Sequence, residues 1–205
     1  MTRTIVVFFA SWLAVAAPAM ADWTANVGWA SDYYFRGIKQ HSSSFAAGID
    51  FEHKGAYAGA WSADVGDGLE IDGYFGYRRE IGDFSYGVGF TGYYYSSNFY
   101  DTYQEINLGS AYKFLTLDVA VGQYDNFSGP TLDYTHVALT LEKNGFYGTY
   151  GTFKQDFSGS YLQTGYGAGI AGFDLGLSVL HSDSDLIGDA DTALIFTIGR
   201  TFDLN

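Results

Sequence analysis

Residues 69–79 read Leu69-Glu70-Ile71-Asp72-Gly73-Tyr74-Phe75-Gly76-Tyr77-Arg78-Arg79, and their side chains sort with a period of two. Leu69, Ile71, Phe75 and Tyr77 fall on one side; Glu70, Asp72, Tyr74, Gly76 and Arg78 fall on the other. A β-strand turns successive side chains to opposite faces, whereas a helix would smear this pattern around its axis. The stretch is a two-faced strand, apolar on one face and polar or small on the other.

Eleven further stretches have comparable length and turn residues at their ends: 23–31, 45–52, 56–63, 84–95, 102–112, 115–124, 132–142, 146–155, 161–171, 173–182 and 191–202. The segment 115–124 sets Leu115, Leu117, Val119 and Val121 against Thr116, Asp118, Ala120 and Gly122. Composition agrees, because 18 Tyr, 17 Phe and 27 Gly beside only 2 Pro and 2 Met favour pleated surfaces over helices. Twelve strands are expected.

Connections alternate in length. Those at 53–55, 80–83, 113–114, 143–145 and near Gly172 are tight, while 32–44, 64–68, 96–101, 125–131, 156–160 and 183–190 are mostly longer and polar. Short turns at one end, longer loops at the other and an even strand count mark an outer-membrane barrel. The stretches run about 8–12 residues, close to the roughly 9–11 that a tilted strand needs to cross a bilayer. In hydrocarbon a closed antiparallel ring leaves no backbone group without a partner. The expected fold is all-β, a closed antiparallel transmembrane β-barrel.

Residues 1–21 place Arg3 before an apolar run from Ile5 to Ala17 and end on Ala19-Met20-Ala21, the order of a cleaved secretion signal. Removing them leaves one expected domain, 22–205, with 9 basic and 23 acidic residues and a formal charge of −14. So acidic a chain repels nucleic acid. With no Cys, its stability must come from pairing and burial. The location this implies is the outer membrane of a Gram-negative bacterium. Implied partners are its lipid and lipopolysaccharide, periplasmic chaperones, the barrel-assembly machinery, and small solutes or cations. The last strand alternates Leu194, Phe196, Ile198 and Phe202, which suits assembly recognition. Aromatic girdles at the two interfaces are expected from Trp23, Trp29, Tyr57, Trp61, Tyr77, Tyr86, Tyr94, Tyr95 and Tyr112.

The segment Asp32-Tyr33-Tyr34-Phe35-Arg36-Gly37-Ile38, followed by Gln40, resembles the TorF family of porin-like exported proteins of proteobacteria. Gly55-Ala56-Tyr57-Ala58-Gly59-Ala60-Trp61 resembles that family's G-x-Y-x-G-x-W segment, while Lys39 stands where the family has a small hydroxyl residue. The resemblance implies outer-membrane residence and a channel role. Read from the residues alone, Asp32 and Arg36 form a first-loop structural motif in which an ion pair pins Tyr33, Tyr34 and Phe35 at the barrel mouth, with Gly37 closing the segment. The alternative has Arg36 project into the lumen as a constriction charge.

Strand parity sends Asp50, Glu52, Glu70, Asp72, Glu105, Asp118, Glu142 and Asp174 inward, with Arg78 and Lys154. An acidic lining favours cations. Twelve strands narrow the bore, and inward Tyr74, Tyr93, Tyr95, Tyr103 and Tyr134 narrow it further. The expectation is a slender channel for ions or small polar solutes, against a closed structural or surface-binding barrel. No cofactor or metal site is implied, and the Asp-rich 183–191 lacks the ordered calcium-loop pattern. Catalysis would need a nucleophile beside a His. The four His at 41, 53, 136 and 181 are scattered and no nucleophile elbow occurs, so an enzyme is not expected.

Overall fold

In the computed structural model, which describes residues 22–204, every alternating stretch becomes a strand. In chain order these are β1 (Asp22–Phe35), β2 (Ile38–His53), β3 (Ala56–Asp64), β4 (Leu69–Ile81), β5 (Phe84–Tyr95) and β6 (Tyr103–Tyr112). The ring continues with β7 (Leu115–Tyr124), β8 (Leu132–Lys143), β9 (Phe146–Gln155), β10 (Ser160–Ile170), β11 (Phe173–Ser182) and β12 (Asp191–Asp203). A single helical turn, α1 (Ser184–Ile187), interrupts the last long loop. The leader expected over 1–21 lies outside the described residues.

Each strand pairs antiparallel with its neighbours in sequence, and β12 closes the ring on β1 from Thr24↔Asp203 to Ala30↔Thr197. The result is a closed twelve-stranded antiparallel barrel. Its outward face carries the apolar half of every alternation. Phe75 is 60% exposed and Leu194 65%, with Val27, Ile49, Leu108, Val121, Leu139 and Leu177 likewise bare. Soluble proteins rarely leave contiguous apolar patches beyond a few hundred Å², so a band around the whole girth is a surface made for lipid.

At one end the strands are joined by two-residue turns, and Lys54, Lys113, Asn144 and Ala171 each take a positive φ at the first turn position. Such turns match the twist of paired strands. At the other end the sequence predicts a 32–44 loop, and here the structure differs. β1 and β2 run on as one long hairpin around the two-residue turn Arg36-Gly37. Polar Ser42, Ser43 and Ser44 look like loop residues in sequence, yet the hairpin needs no apolar face beyond the barrel wall. Pairing of β1 to β12 stops at Ala30, and pairing of β2 to β3 stops at Ala46. Beyond those points the hairpin pairs only with itself, and a register shift at Tyr33/Tyr34 bends it.

The expected girdle is also corrected in part. Tyr57, Trp61 and Tyr95 point into the barrel, since their cross-strand partners are Gly76, Asp72 and Glu70. On β3 the outward positions are Ala56, Ala58 and Ala60, so there the bulk lies inside and the lipid face is smooth. Trp23, Tyr77, Tyr86, Tyr94 and Tyr112 do lie on the outer surface.

Candidate functional site

The hairpin tip turns into the outer mouth of the barrel. Phe35 lies 5.4 Å from Tyr93, ring to ring, and Tyr33 meets Trp61 at 5.8 Å. Tyr34 packs in a buried cluster with Tyr161, Leu180 and Ile195. The tip therefore touches β3, β5, β10, β11 and β12, and its guanidinium reaches β6. Arg36 Nη1 donates to Glu105 Oε2 and Nη2 to Oε1, both at 2.7 Å. Glu105 has no exposed side-chain surface and Arg36 retains 13%.

Around this pair the lumen supplies neutral donors. Tyr93 donates its hydroxyl to Glu105 Oε1 at 2.8 Å, Tyr134 to Oε2 at 2.8 Å, and Asn107 Nδ2 to Oε1 at 2.6 Å. A buried carboxylate needs this density of donors to remain charged away from water. Further bonds seat the rest of the tip: Tyr33 donates to Glu70 at 2.9 Å, and Ser182 Oγ to the Gly37 carbonyl at 2.5 Å.

Gly37 sits at φ 84, and a Cβ added there would lie 2.8 Å from Tyr161 Cβ and Leu186 Cδ2. Leu186 is held by Asp183, whose carboxylate accepts from the Ser160 hydroxyl at 2.6 Å, the Ser160 N–H at 2.9 Å and the Leu186 N–H at 3.0 Å. Those bonds, the Ser160 hydroxyl foremost, keep the Asp183 carboxyl below its ordinary range. Gly37→Ala combines backbone strain with a clash, so we expect a loss of about 1–2 kcal/mol in stability and a displaced tip. Trypsin should then cut after Arg36 in the variant and spare the parent; equal resistance would mean the seat is not tight.

The pair expected between Asp32 and Arg36 does not form. Asp32 instead binds Lys39 at 2.6 Å and Ser42 at 2.9 Å on the hairpin itself, while Arg36 takes the lumenal alternative. Positive φ at Arg36, 48°, aims its side chain away from Asp32 and into the barrel. Lys39, the departure from the motif, thus does the local pairing that sequence reading gave to Arg36.

Of the expected lumen charges, Asp50, Glu52, Glu70, Asp72, Arg78, Glu105, Asp118, Glu142 and Asp174 occupy inward register positions. Lys154 does not: it pairs with Thr135, itself opposite the exposed Val121, and lies on the outer face. Its neighbour Phe153 is the buried one. β9 carries aromatics on both faces, Tyr147 and Phe153 inward and Phe146 and Tyr150 outward, so alternation alone could not phase it.

The interior divides into two zones. The outer zone is aromatic and tightly packed, with Tyr103 stacked on Tyr124 at 4.2 Å and Tyr134 beside Phe153 and Phe157. The zone toward the tight turns is polar: Asn26 and Tyr74 both donate to Asp50, and Arg78 pairs with Glu52. Between them Asp72 Oδ1 and Asp118 Oδ1 are buried without a hydrogen-bond partner among the described residues. His136 meets Tyr161 rather than a serine, at 3.3 Å. Among the described residues no three His, Cys, Asp or Glu are grouped to hold a metal.

Comparison with solved structures gives the same fold. A chain from work on the in-meso crystallization of membrane proteins superposes with a TM-score of 0.61 at 11% identity, covering 89% of this chain and 84% of its own. Looser likenesses include OprD of Pseudomonas aeruginosa (TM-score 0.43, 12% identity, 90% of this chain and 67% of that one). Another is a BenF-like porin from Pseudomonas fluorescens Pf-5 (TM-score 0.44, 10% identity, 86% of this chain and 58% of that one). Among curated proteins none matches. Residues 15–178 do match one family of bacterial proteins of unknown function, Gcw_chp, and the chain belongs to that family.

Proposed function

We propose that this protein is a narrow outer-membrane channel for ions or small polar solutes, cation-preferring, and held shut at its outer mouth by the β1–β2 tip. One observation carries the reading: a wall with a lipid-type exterior encloses an acidic lining. Asp72 and Asp118 each present one carboxylate oxygen there that no group among the described residues satisfies. Water or a cation in the bore would satisfy oxygens so placed. The acidic lining focuses negative potential along the bore and raises cation occupancy. The leader-like residues 1–21 and the TorF resemblance at Asp32–Ile38 support export and a channel role.

A specific observation favours a second reading, a closed barrel without transport. The aromatic outer zone and the Arg36–Glu105 pair crowd the mouth. Planar-bilayer recording separates the two. In a KCl gradient the channel reading expects a reversal potential near that of potassium; anions carrying most of the current would overturn it. Silence in the parent and in tip-released variants alike selects the closed barrel.

A further inference from the structure

Charges on the outer surface at the tight-turn end are sorted by sign. Arg79, Lys143 and Arg200 project outward, since their cross-strand partners are the outward Tyr86, Phe146 and Val27. Lys54 and Lys113 occupy two-residue turns on the same rim. The strand carboxylates near this end, Asp22, Glu52, Glu80, Glu142, Asp174 and Asp203, take inward register positions instead. Asp83, in a turn, faces Lys113 at 3.8 Å. Arg79 lies on β4, Lys143 on β8 and Arg200 on β12, so the cations are spread around the girth.

These cations sit level with aromatic rings. Arg200 Cζ is 5.0 Å from the Phe202 ring and 5.5 Å from Phe173, and Lys113 Nζ is 5.1 Å from Tyr112. A ring in the interfacial layer fixes the depth of the cation beside it, because the long side chain lays its stem on apolar surface and keeps its head among phosphates. The loops of the opposite rim are mainly acidic, with Asp67, Asp101, Asp125, Asp156, Asp185 and Asp189, beside the cations Lys39 and Lys154. From this we infer that the tight-turn rim is a collar that binds anionic phospholipid headgroups, and that it anchors the barrel in the leaflet that carries them.

The collar makes a prediction opposite in sign to the one that net charge makes. A chain with formal charge −13 should be repelled by an anionic bilayer. Yet the loop carboxylates lie at the opposite end of the strands, beyond a Debye length of about 8–10 Å, and the strand carboxylates near the rim take lumenal register positions, so the outward cations are the charges that meet the headgroups. The full chain is refolded into vesicles of phosphatidylcholine, alone or mixed with phosphatidylglycerol, and its folding equilibrium is measured in each. Folding should be favoured by phosphatidylglycerol at low salt. The R79Q/K143Q/R200Q variant should lose roughly 100-fold of that preference, whereas R79K/K143R/R200K should keep it. Equal preference in parent and neutralised variant, or none in the parent, overturns the collar. If the neutralised variant does not fold, added salt decides on the parent alone: erasing the preference supports the collar, and leaving it intact overturns it. Failure to fold in either vesicle would overturn the lipid-facing exterior as well.

Discussion

Arg36→Ala should convert a closed or flickering barrel into one that conducts steadily, and it should cost about 3 kcal/mol of stability. The energetic part follows from Glu105. Its side chain is fully buried and accepts from Arg36, Tyr93, Tyr134 and Asn107. Removing one member of a buried pair typically costs about 3–5 kcal/mol because the other charge stays without compensation. Three neutral donors remain on Glu105, which places the expected loss at the lower end. The conductance part follows from the hairpin: beyond Ala30 and Ala46 it has no strand neighbours, so the tip is held in the mouth by side-chain contacts alone. Without the latch, strain at Arg36, in the left-handed region at φ 48, no longer has a compensating bond. Glu105→Gln should also release the tip, but the two variants should differ in selectivity. Arg36→Ala uncovers a carboxylate and strengthens cation preference, whereas Glu105→Gln removes it and weakens that preference. A double-mutant cycle on unfolding free energy then isolates the pair. Unchanged conductance in both single variants would show that the tip does not close the path.

What the sequence made legible and what it hid have one physical origin. Strand alternation is a local property, so β4, β6, β7 and β8 could be phased from residues two apart, and the inward carboxylates came with them. The Arg36–Glu105 contact joins residues 69 positions apart across the bore. No periodicity encodes it, because it depends on where the hairpin bends after its neighbours stop pairing. The same holds for Tyr57 and Trp61. An aromatic at a strand end suits either an interfacial girdle or a lumen, and only the register against Gly76 and Asp72 decides. The turn was readable in principle: Gly37 after Arg36, flanked by Phe35 and Ile38, is a two-residue hairpin signal. The polar run through Ser44 masked it. Lys154 was misplaced because β9 carries aromatic residues on both faces.

The lipid-facing exterior predicts a depth profile along a single strand. Leu108 lies near the middle of β6 with its side chain outward, paired with Val88 and Val119. Leu108→Arg should cost about 2–4 kcal/mol when unfolding is measured in phospholipid vesicles, because a guanidinium at the bilayer midplane has no water within reach. Tyr112→Arg, at the rim of the same strand, should cost only about 0–1 kcal/mol, since there the charge reaches the headgroups. Leu108 is 47% exposed and Tyr112 52%, so the two positions are alike by exposure and differ only in depth. If the barrel stood in water, both variants would be near neutral, because each places a charge on an already open surface. If the outward face were instead covered by another protein layer, both would be costly and no gradient would run toward the rim. Only a slab of hydrocarbon, thick enough to isolate the middle of β6 and thin enough to free its end, gives a large loss at Leu108 with a small one at Tyr112.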